Sequence, residues 1–291
     1  MAHATILGIL IGALFLTLVV SLLKSWVGGS GFRSHLAGAL LALGHPFCSC
    51  CAAPVGATLY RGGASLGPTL AFVVSSPMLN LSSLVLAVSL LPLDFAVLRI
   101  GGGLVVGVLV TYLVSVVASG WAEKAPRVSP PNKLEDLSSR TLDAFSRWFQ
   151  LEAFLGGRSP DSPAALIDTW LGAAWRLGRV VVPVLFVSSV VTSAVVMAIP
   201  SPTNDFMGIV AAAAFGTLLM APTWTELPIA LGLISQGLAG PAAALLLTLP
   251  AVSIPCLVIV GGATANWRAA LLLGVLVFGV GTLVGMGFSM A

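Results

Sequence analysis

Three thiols, Cys48, Cys50 and Cys51, crowd into four consecutive positions of the stretch His45-Pro46-Phe47-Cys48-Ser49-Cys50-Cys51-Ala52-Ala53-Pro54. Thiolates are soft ligands suited to Cu(I), Zn or trivalent metalloids. On a continuous helix Cys48 and Cys51, three apart, share a face while Cys50 points elsewhere. If Pro46 and Pro54 unwind the turn, all three converge. The plainer alternative is that each cysteine behaves as a small buried hydrophobe. Cys48 and Cys51 are therefore candidate soft ligands, with no metal site certain from spacing alone. Cys256, which follows Pro255, reads as core.

A second group of polar residues stands far along the chain, in Pro222-Thr223-Trp224-Thr225-Glu226-Leu227-Pro228. Glu226 is the acidic residue expected deep in an apolar span, where a charge costs about 2.5–3.5 kcal/mol. It is expected to face a cavity and there carry a proton or meet a cation. A neutral Glu226 bonded to backbone freed by Pro222 is the alternative. Trp224 either shapes a pocket or packs. Asn80 follows Pro77 by three, as Ser253 follows Pro250 by three, so each is placed to bond backbone freed by a proline, or a substrate. His45 is a proton relay or a satisfied buried histidine. Asp94, Arg99 and Asp205 fall at the ends of apolar stretches, where interfacial placement accounts for them, and Arg61 reads as an anchor at a loop tip.

The elements that must position these residues are apolar helices. The chain has 291 residues, 58% hydrophobic and 8% charged, against about 25% charged in soluble domains. This is the composition of an all-α integral membrane protein. Runs long enough to cross a bilayer cover about 4–23, 35–60, 64–91, 94–119, 166–199, 205–235, 238–262 and 266–289. They give about eight transmembrane helices, and the first matches a full span of roughly 20 residues and lacks the basic n-region of a signal peptide. Three cysteines in one turn make no disulfide framework. The net charge of +3 gives no footing for nucleic acid.

A polar segment, 120–165, divides a first transmembrane half, 1–119, from a second, 166–291. It holds Lys124, Arg127, Lys133, Arg140, Arg147 and Arg158. Its centre mixes these with Leu134, Leu137, Phe145, Trp148 and Phe149, as an amphipathic helix on a membrane surface does; a flexible linker is the alternative. Basic loops stay cytoplasmic, which puts this loop and both termini on the cytoplasmic side of the cell's inner (plasma) membrane.

The two halves repeat a pattern. Pro54, Gly62-Gly63, Gly67-Pro68 and Pro77 recur in order as Pro228, Gly237, Gly240-Pro241 and Pro250. Pro46, Pro54, Pro77, Pro222, Pro228 and Pro250 are thus candidate helix breaks or gates. Internal repeats with interrupted helices are the usual build of secondary transporters, with the substrate near the midplane. Two four-span repeats imply a parallel relation; a re-entrant segment would make them inverted. In this alignment Cys48–Cys51 lie opposite Pro222–Thr225.

The motifs Pro46–Pro54, Arg61-Gly62-Gly63-Ala64-Ser65-Leu66-Gly67-Pro68, Ser76-Pro77-Met78-Leu79-Asn80 and Thr225-Glu226-Leu227-Pro228 resemble the predicted permease family that includes the ArsP organoarsenical efflux permeases and YraQ-type proteins. The resemblance implies an inner-membrane permease and, for the ArsP branch, export of trivalent organoarsenicals handled by cysteines. Cys51-Ala52-Ala53-Pro54 departs from that branch's pattern.

The sequence carries no nucleotide or catalytic motif: Gly101-Gly102-Gly103 lacks the strand and helix context of a phosphate loop. The expectation is a secondary permease, not an enzyme, with no cofactor. Its partners are the lipid bilayer and a small-molecule or metalloid solute, and a homo-oligomer is compatible with the sequence. The solute would be a soft or thiol-reactive species meeting Cys48, Cys50, Cys51, Glu226, Trp224 and Asn80. A transmembrane thiol–disulfide carrier pairing Cys48 or Cys51 with Cys256 is the alternative. A non-transporting scaffold docking a partner on the polar segment is a third.

Overall fold

The structure, a computed structural model, describes residues 29, 31–43, 48–61, 63–122, 203–219 and 224–290, with isolated positions between 167 and 190. The described elements are all helical. A first set comprises α1 (Phe32–Ala42), α2 (Ser49–Arg61), α3 (Leu66–Leu79), α4 (Leu81–Leu90), α5 (Leu93–Leu104), a π-helical turn (Val105–Val110) and α6 (Thr111–Ala122). A second set comprises α7 (Phe206–Leu218), α8 (Glu226–Ser235), α9 (Ala239–Ala251), α10 (Ile254–Thr264) and α11 (Trp267–Met290). The polar segment 123–165, the spans expected at 4–23 and 166–199, and Pro46 and Pro222 lie outside the described residues.

Four stretches are long and apolar enough to cross a membrane: Leu66–Leu90, Leu93–Gly120, Ala239–Thr264 and Trp267–Met290. Leu81, Val85, Leu93, Leu271, Val275 and Leu283 expose well over half of their surface along them, and helices turning apolar side chains outward while closing their backbone bonds internally suit a lipid environment. The chain is a multi-pass membrane protein by this construction.

The runs expected as single spans at 35–60 and 205–235 take another form. The first holds α1 and α2, and the second holds α7 and α8. These helices have 11, 13, 13 and 10 residues, so each is about 15–20 Å long and too short to cross a core of about 30 Å alone. In both cases the first helix runs alongside the following broken helix, and the second returns to that helix's start. Gly38 of α1 lies against Pro68 of α3, with Pro68 Cα 2.7 Å from where a side chain would begin. Gly216 of α7 lies against α9, with the Leu249 nitrogen 2.9 Å from the equivalent point. Small residues permit this close approach of helix to helix. The starts are also tied: Ser65 Oγ donates to the Gly29 carbonyl (2.6 Å), and the Gly240 amide donates to Asn204 Oδ1 (3.0 Å).

The broken helices are α3–α4 and α9–α10. Pro77 and Pro250 sit in the last turns of α3 and α9, and neither has an N–H to donate. Asn80 follows in extended conformation (φ −61°, ψ 140°), as do Val252 (φ −145°, ψ 164°) and Ser253 (φ −151°, ψ 162°). A new helix starts at once in each case.

The long helices flank these breaks and run in opposite senses. Phe95, near the start of α5, meets Phe288, near the end of α11, with ring centroids 4.9 Å apart. Val110, Val114 and Ala118 share a core with Ala269, Leu273 and Val277. Two carbonyls of the π turn within the first long helix meet side chains, and such turns recur at functional sites. The Gly107 carbonyl accepts from Ser75 Oγ (3.2 Å) and Thr111 Oγ1 (2.6 Å), and the Val108 carbonyl lies 3.0 Å from His35 Nε2. Tyr112 packs edge-on against both His35 and Phe32, with centroids 5.2 Å away.

Candidate functional site

The sequence places two prolines upstream of two breaks, and the polar residues collect there. At the first break Asn80 is the N-cap of α4. Its Oδ1 accepts from the Ser83 amide (2.7 Å) and its Nδ2 donates to the Ser76 carbonyl (3.0 Å). One side chain thus satisfies a donor of the new helix and an acceptor of the old one, the task of a capping residue. The Leu81 amide donates to the Leu43 carbonyl at the end of α1 (3.0 Å).

Arg99 enters this break from α5. Its Nη2 donates to the Pro77 carbonyl (2.9 Å), to Ser83 Oγ (3.2 Å) and to Glu226 Oε1 (3.0 Å), while Nη1 approaches Met78 Sδ (3.1 Å). Arg99 is fully buried and Glu226 is 2% exposed. The interfacial position expected for Arg99 is therefore corrected. An arginine near a helix end usually reaches toward water; here a carbonyl exposed by the broken helix and a carboxylate from the second set draw it inward. The pair joins α5 to the first residue of α8.

Glu226 opens α8, so its carboxylate sits at the helix's positive end. Trp224, two residues earlier, is 7% exposed and adopts a left-handed backbone (φ 74°). This conformation is uncommon for a non-glycine residue, and it turns the chain into the first turn of α8, where the Leu227 amide bonds the Trp224 carbonyl (3.2 Å). The buried indole Nε1, Arg99 Nε and Ser76 Oγ have no hydrogen-bond partner among the described residues. Pro228 lies in that same first turn rather than at a break, where its missing N–H costs nothing.

The second break is met in the same way by the first set. Ser49, the first residue of α2, lies with its Oγ 3.2 Å from Ser253 Oγ. Cys48 immediately precedes α2, its carbonyl accepting from the Ala52 amide (2.9 Å). Cys48 (5% exposed) and Cys256 (fully buried) belong to one core cluster, and neither is in a disulfide. Cys50 and Cys51 follow in the first turn of α2, their side chains outside the described residues. Pro54 lies within α2 and cannot donate to the Cys50 carbonyl.

The candidate residues thus fall into two centres. Glu226, Trp224 and Asn80 gather around Arg99, whereas Cys48 gathers with Ser49, Ser253 and Cys256. Arg99, Ser83, Ser49 and Met78 were not singled out by their spacing. An arginine between Leu98 and Ile100, two turns into an apolar helix, is the signal that marks the first of them. No group of three or more His, Cys, Asp or Glu residues able to hold a metal ion occurs among the described residues.

Comparison with known proteins gives this arrangement a family. The model of the ArsP_1 family, described as a predicted permease, matches residues 4–155. The UPF0718 protein YraQ of Escherichia coli strain K12 is 34% identical over 97% of this chain and 75% of its own length. The UPF0718 protein MJ0584 of Methanocaldococcus jannaschii is 25% identical over 83% of this chain and 77% of its own. No solved structure matches. By the family match over more than half of the chain, and by a relative this similar along nearly all of it, the protein belongs to the ArsP_1 predicted permease family.

Proposed function

We propose that the protein is a secondary permease of the inner membrane built from two inverted repeats, with its solute passing between the two centres near the midplane. The crosswise construction carries this reading: the helix beginning at Ser49 in the first set meets the break of the second, and the helix beginning at Glu226 in the second meets the break of the first. Half-length helices and discontinuous spans that meet around polar groups are how secondary transporters build a solute site within the bilayer. The opposite senses of α5 and α11 favour the inverted relation over the parallel one. Each half then contributes a re-entrant hairpin, a broken span and a long span. Counted with the spans that the sequence predicts at 4–23 and 166–199, this reading has six crossings.

The solute is soft or thiol-reactive, a trivalent organoarsenical or a related metalloid or sulfur species, and it meets Cys48 as it passes. Binding has to be exchangeable, because a tightly held thiolate complex is not released. Proteoliposomes test this with methylarsonous acid. Flux in the wild type that falls at least tenfold in Cys48→Ser/Cys51→Ser supports the reading; flux that ignores the cysteines refutes the soft-solute version.

The thiol–disulfide carrier gains from one observation, the shared core position of Cys48 and Cys256 on opposite sets. Thiol trapping separates the two. A Cys48–Cys256 disulfide that forms and breaks during turnover favours the carrier, and thiols that stay reduced throughout turnover favour the permease.

A further inference from the structure

The Arg99–Glu226 pair is incomplete in a specific way. A guanidinium offers its Nε–H and Nη2–H along one edge, a fork that fits the two oxygens of a carboxylate-like anion. Glu226 reaches this guanidinium through one oxygen, 3.0 Å from Nη2. Arg99 Nε, on the same edge of a wholly buried side chain, has no partner among the described residues, and neither do the buried Trp224 Nε1 and Ser76 Oγ. Leaving such donors unpaired in a buried site is unfavourable. The surrounding backbone adds positive potential: α4, of 10 residues, and α8, of 10, both begin at this centre. The charged groups here sum to zero, while the unpaired side-chain donors and both helix ends favour an added negative charge.

We propose that Arg99 binds a small oxyanion in exchange for Glu226, and that the carboxylate leaves the guanidinium by taking up a proton. This rests on the permease reading and, among its metalloid and sulfur species, selects an oxyanion over a neutral arsenical. The proton goes onto a Glu226 carboxylate oxygen, giving a neutral acid, and the anion's two oxygens take the Nε–H and Nη2–H edge of Arg99. On release the anion departs, the proton returns to water on the other side, and the ion pair re-forms. One proton then travels with each monoanion, and the cycle moves no net charge. Among the described residues no other charged group intervenes. The helices packed on α8 are α9 and α4, and neither carries a titratable residue; α5 adds the exposed Asp94 and Arg99 itself.

The test uses the full chain in proteoliposomes with a lumenal pH dye, and hydrogen selenite and dimethylarsinate as probes. The expected result in the wild type is anion uptake with lumenal acidification, one proton per anion, unchanged when the membrane potential is clamped. Glu226→Gln should exchange anions without moving protons, and Arg99→Gln/Glu226→Gln should lose at least about tenfold in anion binding, the loss expected of a buried charged contact. A stability readout guards against misfolding. Either anion should raise the melting temperature of detergent-solubilised Glu226→Gln at pH 6 and pH 8, that of the wild type chiefly at pH 6, and that of the double variant at neither. Uptake without protons, or an undiminished double variant, overturns the proposal. So does a protein that ignores both anions yet moves methylarsonous acid, which leaves the permease reading standing. If neither the anions nor the neutral arsenical moves, both fail.

Discussion

Glu226→Gln is the sharpest perturbation the structure offers, because it removes a charge and almost no volume. Breaking a buried ion pair by losing one partner costs about 3–5 kcal/mol. The glutamine carbonyl still accepts one bond from Arg99 Nη2, and a retained hydrogen bond of this kind contributes about 1 kcal/mol. Arg99 also keeps the Pro77 carbonyl and Ser83 Oγ. The expected loss is therefore about 2–4 kcal/mol. Arg99→Gln leaves Glu226 behind instead. A lone buried carboxylate escapes its cost by taking a proton, whereas an arginine cannot lose one. Destabilisation by Arg99→Gln should thus shrink as pH falls, and that by Glu226→Gln should stay level. The double variant should cost less than the sum of the singles, with a coupling of about 1–3 kcal/mol. Reversible unfolding in mixed detergent micelles, followed by tryptophan fluorescence at pH 5.5 and pH 8, measures all four corners of the cycle. Singles that add to within about 0.5 kcal/mol would refute the reasoning, since that is the behaviour of residues that share no contact.

Three further outcomes follow from the fold. Asn80→Ala should lose about 0.5–2 kcal/mol in the same unfolding assay, the usual cost of removing an N-cap, whereas Asn80→Asp, which keeps the acceptor for the Ser83 amide, should lose less. Gly38→Val should lower stability by about 1–3 kcal/mol through overpacking, because its side chain starts 2.7 Å from Pro68 Cα; Gly101→Ala, with nothing within 4 Å, should be neutral or slightly stabilising. Asp205 caps α7, and hydrogen bonds from Thr203 Oγ1 and the Gly208 amide hold its carboxyl below the usual carboxylate value. A depressed folded-state value means that the cap's contribution is present above the unfolded value and lost as pH falls through the folded one. The melting-temperature gap between wild type and Asp205→Asn should accordingly be open at pH 7 and closed in strong acid; a gap that widens on acidification would contradict the assignment.

What could be read in the sequence follows what is local. Composition alone identifies a helical membrane protein, and Pro77 and Pro250 mark both broken helices because proline's missing donor acts within one turn. Asn80 as the residue that repairs the first break was legible for the same reason. The paired half-length helices were not. The run 35–60 is apolar and long enough to span, and nothing in its hydropathy says that it holds two separate helices, α1 and α2. Their placement rests on long-range packing, Gly38 against Pro68 and Ser49 against Ser253. Arg99 was misplaced because the helix-end rule supposes water within reach of the side chain. The rule gives way when a neighbouring helix supplies a carbonyl and a distant one a carboxylate, and residues 127 positions apart leave no trace of that contact in a single sequence.

The two centres are built alike and held unequally. Each joins the first set to the second, one through Ser49 and Ser253, the other through Arg99 and Glu226. A bond between neutral hydroxyls contributes about 0.5–1.5 kcal/mol, while separating a buried ion pair costs several times that. Of these two polar contacts, the one at Arg99 gives the greater resistance to a parting of the sets. A ligand shifts such an equilibrium only by as much as it binds one state better than the other. A solute confined to the cysteine centre would leave the greater resistance in place. A proton on Glu226 and an anion on Arg99 act directly on that resistance: each side of the pair then keeps a partner when the sets part. On these energies, and on the proposed permease reading, a ligand acting on the Arg99–Glu226 pair shifts the two sets more than one confined to Cys48.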